Sequence, residues 1–339
     1  MKKSVFTVCV FVTCILMSVC YSCKKKTDAN VANGTAGSEI QNVEKLSVAI
    51  NGLKGRAVNM LFVPAGSYRR LLAEGKTKEI KLKPFFISDT EVTFGYLRQY
   101  VSETAAKDAL QDERRILSQF GAEGKITSEN FTIPNDWPAM YVSFFEACRF
   151  CNWLSEKEHL EPVYTFNESK NGDANAAEVV WDSTKNGYRL PTEAEWEYCA
   201  CYDGQRTDTS KIQSEAVLRV GTTASPANVA SKAANSLAMF DLIGNVYEWC
   251  WDLYNEEYYA GGESENPLGP ASGFNPKPFD PQQKGLPPST TDRVIKGYDF
   301  FTKAEEIVSV MHRNSSNPAA TVNPVREIAI GFRLVRNAK

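Results

Sequence analysis

Apolar positions fall along this 339-residue chain in several rhythms. An apolar run, Val5 to Val19, follows Lys2 and Lys3 at the start. Residues 58–68 then read as a strand closing in a Pro64-Ala65-Gly66 turn, and over 79–87 polar and apolar residues alternate with the period of a half-buried strand. From Phe144 to Lys157, apolar Phe145, Cys148, Cys151, Trp153 and Leu154 recur at helical spacing and predict an amphipathic helix. Two further helices are predicted from their starts. Thr90 precedes a periodic run through Tyr100, and Thr192 stands three residues before Glu195, the spacing of a capping box. Gly and Pro crowd 261–290, which reads as loop. No repeat and no compositional shift divides 57–337, so the body is expected to be one mixed domain.

The opening run has signal-peptide length and falls short of the ~20 apolar residues of a membrane span. It ends in Cys20-Tyr21-Ser22-Cys23, then Lys24-Lys25-Lys26 and a polar stretch to about Gln41. Such a start fits an ordinary cleaved signal, and it resembles a bacterial lipoprotein signal, in which the cysteine after the run is lipidated. Small Ser22 favours Cys23 over Cys20 as that site. The layout expected is a signal peptide over 1–22, a flexible tether over 23–56 and a folded body over 57–337. A lipid anchor would hold the body at the bacterial cell envelope, on its outer surface.

Charge and rare residues narrow the chemistry. A net charge of −3 without a basic run in the body excludes a nucleic-acid groove. With 11% aromatic residues the chain is not disordered. Only His159 and His312 are present, so a three-histidine metal centre is impossible. Cysteines outside the leader are Cys148, Cys151, Cys199, Cys201 and Cys250, an odd number, so at least one stays free. Cys148-Arg-Phe-Cys151 has redox or half-zinc spacing. Its place on the apolar face of a helix favours small buried hydrophobes instead.

Several motifs carry a resemblance when taken in order. They are Val63-Pro64-Ala65-Gly66, 87–93, Cys151-Asn152-Trp153-Leu154-Ser155, Tyr188-Arg189-Leu190-Pro191-Thr192-Glu193-Ala194-Glu195-Trp196-Glu197-Tyr198, Asp241-Leu242-Ile243-Gly244-Asn245-Val246-Tyr247-Glu248-Trp249 and Gly331-Phe332-Arg333-Leu334. Together they resemble the landmarks of the formylglycine-generating-enzyme (sulfatase-modifying-factor) family and span nearly all of 57–337. The resemblance implies an α+β, C-type-lectin-like fold: an irregular antiparallel sheet, two flanking helices and much loop. Trp196 and Trp249 are large enough to anchor such a core. The resemblance also implies one structural calcium at most, with Asp241 and Glu248 giving side chains and Gly244 and Val246 giving carbonyls. Two carboxylates flanking carbonyls suit a hard cation, although the same loop could be held by hydrogen bonds alone. The family's second calcium segment has no carboxylate counterpart in 219–234.

The oxidase chemistry of the family fails here. Its copper-binding cysteine pair aligns near Thr302 and Ile307, and no cysteine follows Cys250. Neither Thr nor Ile replaces a thiolate, so no copper and no formylglycine generation are expected. Between pattern-like flanks at 293–297 and 330–336, the segment 298–325 departs from the family. That arrangement resembles the variable proteins of diversity-generating retroelements, which share the fold and include a spirochaete lipoprotein of similar layout. Randomised adenines in AAC or AAT codons exclude Lys, Glu, Gln, Met and Trp, so Lys303, Glu305, Glu306 and Met311 are expected to be scaffold. Tyr298, Asp299, Phe300, Phe301, Thr302, Val310, His312, Asn314, Ala319, Ala320, Val322 and Pro324 are compatible with variation and are the candidate ligand-binding residues. Tyr298, Phe300, Phe301 and His312 would supply aromatic contact area, or in the case of Phe300 serve as core. The function expected is that of a monomeric, surface-anchored binding lipoprotein whose partner is a protein or cell-surface ligand, reached through a membrane anchor and not through nucleic acid. An envelope assembly factor, or an enzyme with catalytic groups elsewhere, is the alternative.

Overall fold

Val58, Met60, Leu61 and Val63 are buried on a strand, β2 (Val58–Val63), that forms the spine of the first sheet. The computed structural model describes residues 45–48, 56–72, 75–104, 106, 132–167, 178–202, 212, 214–276, 288–307, 309–319 and 329–338. These belong to a unit running from 42 to 339. The leader, with Cys20 and Cys23, lies outside the described residues. Among those described, no helix is long and apolar enough to cross a membrane.

Strand β1 (Lys45–Val48) pairs antiparallel with β2, Leu46 opposite Met60. The expectation of tether over 23–56 is therefore corrected at 45–48. A four-residue alternation is too short to stand out in the sequence, and it is the free edge of β2 that gives it hydrogen-bond partners. The alternation over 79–87 is broken in two, because Lys83-Pro84 cannot continue a ladder. Its first part, β4 (Thr77–Leu82), makes a hairpin with β3 (Gly66–Leu71), and its second, β5 (Phe85–Ser88), pairs with β2.

Helix α1 (Phe94–Thr104) begins four residues after Thr90. The intervening stretch is held extended by tertiary bonds: Val92 N–H donates to the Phe332 carbonyl at 2.9 Å, and Ala139 N–H to the Val92 carbonyl at 2.7 Å. The first helical N–H groups find carbonyls instead of a side-chain cap, Phe94 on Trp137 (2.7 Å) and Gly95 on Asn135 (2.9 Å). Helix α2 (Phe144–Lys157) matches its prediction and is capped by the Ser143 hydroxyl, which accepts from Glu146 N–H at 3.1 Å. Helix α3 (Glu193–Ala200) carries the expected reciprocal cap of Thr192 and Glu195.

Strands β6 (Tyr164–Asn167) and β7 (Glu178–Trp181) form a second hairpin. The other main sheet has the order β10 (Asn314–Ser316), β9 (Arg293–Lys296), β8 (Tyr247–Leu253), β11 (Ile330–Gly331). Its β11–β8 pair is parallel, the irregular member of an otherwise antiparallel sheet. A side chain at Gly331 would run into the Ala139 carbonyl oxygen, so glycine is needed for this close approach. Strand β12 (Val335–Asn337) returns to the first sheet, Val335 opposite Ile87. Trp196 and Trp249 are fully buried, and their indole N–H groups donate to Glu248 (2.8 Å) and to the Val142 carbonyl (2.7 Å). The five body cysteines are buried and unbridged, Cys148 and Cys151 among them as small core residues of α2.

Candidate functional site

The segment after β9 turns inward at once. Gly297 (φ +99°) and Tyr298 (φ +66°) are both left-handed, the second without glycine's freedom. Tyr298 is held there by stacking on His312 (centroids 5.6 Å, 12° between planes) and by donating to the Ser309 carbonyl at 3.2 Å. Asp299 is buried and accepts from Ala329 N–H (2.9 Å), Phe301 N–H (3.2 Å) and the Thr302 hydroxyl (3.0 Å), tying the segment to the start of β11. Phe300 is fully buried in a second apolar cluster with Phe94, Ile133, Met140, Tyr141 and Val246. Val310 and Met311 are buried as well.

The candidate binding set is corrected accordingly. Tyr298, Asp299, Phe300 and Val310 are interior anchors, because Asp299 is bonded to Ala329 and the other three pack into the apolar clusters. Phe301, Thr302, Asn314 and Ala319 are half-buried, and His312 is exposed. Ala320, Val322 and Pro324 lie outside the described residues. Of the positions expected to be scaffold, Met311 is buried, Lys303 half-buried, and Glu305 and Glu306 exposed. The structure adds a neighbour that the sequence did not flag. Arg219 N–H donates to the Thr302 carbonyl at 3.0 Å, which places the 219–223 turn beside Thr302, with Val220 78% exposed at its tip. An apolar residue next to Gly221 (φ +59°) in a tight turn was the available signal.

Beneath this face lies a buried ionic network drawn from several elements. Lys296 donates to Glu197 (2.7 Å) and to the His312 carbonyl (2.7 Å). Arg70 pairs with Glu197 and with Glu193 (3.3 Å). Arg313 holds Glu193 through two bonds of 2.7 and 2.9 Å. Burial raises the Glu193 carboxyl, but Arg313, Arg70 and Lys296 outweigh it and hold that group at about 2. Asp252 goes the other way: burial, reinforced by Glu193, pushes it up to about 7, and its Oδ1 has no hydrogen-bond partner. Burial also pushes up the thiols of Cys148, Cys151, Cys199 and Cys250, so none of these is a ready thiolate. At the positions aligned with the copper cysteines, Thr302 is half-buried and Ile307 buried.

The calcium set implied by resemblance does not fit this chain. Glu248 is fully buried, and both its oxygens are taken: Arg333 Nε donates to Oε2 at 2.5 Å, Arg333 Nη2 to Oε1 at 2.6 Å, and Trp196 adds a third bond. A carboxylate already neutralised and saturated in this way is not a free ligand. Gly244 (φ +82°) and Val246 are buried as expected of a tight loop, and Asp241 (φ +56°) accepts from Ala230 N–H at 2.7 Å. Among the described residues, no three His, Cys, Asp or Glu side chains converge as a metal site. The set Asp241, Gly244, Val246 and Glu248 therefore fails at Glu248.

This fold, with the buried Trp196–Glu248–Arg333 cluster at its centre, agrees with the family comparison. The model of the sulfatase-modifying factor enzyme 1-like domain matches residues 49–338. The chain belongs to this family. Within the formylglycine-generating enzyme of Streptomyces coelicolor it is 34% identical over 104 residues, which cover 26% of this chain and 33% of that enzyme. The chaperone protein LppX of Paenibacillus barcinonensis is 26% identical over 277 residues, 70% of this chain and 89% of that protein. Among solved structures, variable protein 1 of Treponema denticola superposes with a TM-score of 0.64 at 24% identity, covering 87% of this chain and 99% of that one. The α+β, C-type-lectin-like fold expected from the sequence is thereby established.

Proposed function

We propose that this family member is a monomeric, lipid-anchored binding protein of the bacterial cell envelope. It presents the segment 298–325, with the adjoining 219–223 turn, to a protein or cell-surface ligand and does not generate formylglycine. The observation that carries this is the composition of the segment that aligns with the oxidase centre. It contains no cysteine, so copper has no thiolate ligand and no electron pair can leave a thiol there. In place of that chemistry the segment sets Phe301, Thr302, His312, Asn314 and Ala319 over anchors that do not reach solvent. Surface residues on a fixed base lose little entropy when a partner docks. Likeness in fold to a Treponema variable protein is the ground for assigning the segment to a diversity-generating retroelement, and Cys23 is the lipidation site in this proposal.

Two experiments decide it. Sequencing about ten kilobases around the gene is expected to find a near-copy of the codons for 298–330 that differs at template adenines, beside a reverse-transcriptase gene. No such copy would sink the retroelement assignment. Incubating the protein with copper and a cysteine-containing sulfatase-type peptide is expected to leave the thiol intact, and formation of an aldehyde would refute the loss of activity. Similarity to a protein named as a chaperone favours a second function, that of an envelope assembly factor. In that case client recovery, and not binding to one fixed ligand, would depend on the 298–325 face.

A further inference from the structure

A cleft of about 580 Å³ opens where the β4–β5 link, the chain after β7, the start of α3 and the end of β12 come together. None of the described residues of 298–319, 219–223 or 241–248 lines it. Its volume falls within the ~300–1,000 Å³ usual for small-molecule sites. Leu82, Phe85 and Pro267 are buried around it, and Trp181 adds a half-buried indole. The hydrogen-bonding groups of this lining are lopsided, because its acceptors are already used. Both Glu195 oxygens are taken by Arg189 at 2.7 Å each, and Thr192 N–H adds a third bond at 2.9 Å. Asn337 Oδ1 accepts from Arg189 (2.8 and 3.0 Å), Asn186 Oδ1 from Glu161 N–H (2.9 Å) and Asn266 Oδ1 from Lys83 N–H (2.6 Å). Glu265, at the rim, faces Lys81 at 3.5 Å. The donors, in contrast, are open. The side-chain nitrogens of Asn186, Asn266 and Lys83 have no partner among the described residues, and neither has the buried indole N–H of Trp181. Neither amide can flip to offer its oxygen without giving up a backbone bond. Lys83, Lys185 and Arg189 also outnumber Glu195 and Glu265 in the lining.

We propose that this cleft binds an acidic saccharide, a uronate-type sugar whose carboxylate meets Lys83 and Lys185, whose hydroxyls accept from Asn186 and Asn266, and whose C–H face packs on Trp181. A sugar suits an excess of donors, because its hydroxyl, ring and carboxylate oxygens all accept. An acidic peptide does not. Each of its residues brings a backbone N–H that the spent acceptors leave unmatched, and a desolvated donor without a partner costs affinity. The uncompensated positive charge selects an acid over a neutral sugar. This site is separate from the display face, needs no metal ion, and stands or falls independently of what segment 298–325 binds.

The test titrates the full-length protein in detergent with digalacturonic acid by calorimetry, and with its methyl ester, triglutamate and inorganic phosphate for comparison. One equivalent of digalacturonic acid is expected to bind with a Kd below about 1 mM, with or without EDTA, and the methyl ester about 10-fold more weakly. Lys83→Gln is expected to weaken binding by about 10-fold and Trp181→Ala by about 30-fold. Lys232→Gln, at an exposed lysine outside the cleft, leaves it unchanged. If Trp181→Ala does not fold, Lys83→Gln, whose residue is exposed, carries the same test. No uptake of digalacturonic acid up to about 10 mM would overturn the proposal. Unchanged affinity in folded Lys83→Gln protein would overturn it by placing the sugar elsewhere, and equal affinity for the methyl ester would overturn the selection of an acid. Tighter uptake of triglutamate would assign the cleft to acidic peptides, and equal uptake of phosphate to simple anions; either result overturns the saccharide assignment.

Discussion

Phe300 and Phe301 stand next to each other with ring centroids 4.2 Å apart, yet the structure gives them opposite duties. Phe300 is 0% exposed against Phe94, Met140, Tyr141 and Val246, whereas Phe301 is half-buried at the edge of that cluster. Removing a fully buried phenyl ring costs about 3–5 kcal/mol, from lost transfer energy and the cavity left behind. For a domain of this size each kcal/mol moves the melting temperature by about 2–4 °C, so Phe300→Ala should melt on the order of 10 °C lower. Phe301→Ala sheds less buried area, and its loss should stay at about 1 kcal/mol. Urea unfolding followed by tryptophan fluorescence, with equal m-values, measures both. A Phe300→Ala cost below about 1 kcal/mol, or equal costs for the two variants, would refute the assignment of Phe300 to the interior. If Phe301 belongs to the binding face, Phe301→Ala should lose ligand affinity while keeping its fold.

Other expectations follow from the buried charges. Arg333→Met strands Glu248 and should cost about 3–5 kcal/mol; Arg333→Met with Glu248→Met should recover a large part of it, and a double mutant that pays the full sum would contradict the pairing. Asp252 binds its proton up to about pH 7 when folded but only to about pH 4 when unfolded, so its contribution to stability falls as pH rises through that window. Asp252→Asn should flatten that fall in a series of denaturation curves, and an unchanged slope would count against it. Glu193 has the opposite sign: held at about 2, it contributes stability that is lost as pH drops from about 4.5 towards 2. Gly331→Ala drives a methyl group into the Ala139 carbonyl and should destabilise the β11–β8 pair, seen as lost hydrogen-exchange protection at Tyr247.

Much of the scaffold was legible because its signals are local. Helix α2 and the cap of α3 were read correctly from spacing, since Ser143 and the Thr192–Glu195 pair meet their partners within one turn. The start of α1 was misplaced because Thr90 is a good cap only in isolation; carbonyls at 135 and 137, brought in by the fold, do the capping instead. For the expected segment 298–325, the sequence did not show which of the described residues face solvent. That depended on two left-handed residues at 297 and 298 and on Asp299 reaching Ala329, thirty residues away in sequence.

By itself, then, the sequence determined the family, the order of the elements and the absence of a thiolate where the oxidase chemistry would stand, because each of these rests on residue identity and short spacing. Tertiary structure alone decided the charges. Arg70, Glu193, Asp252, Lys296 and Arg313 each look like ordinary polar positions in the chain, and only folding brings them into one buried network. Glu248 has the spacing of a calcium ligand, but Arg333 arrives from 85 residues downstream and occupies it. Glu91 carries no motif at all, and only packing buries it beside Asp241 and Glu248.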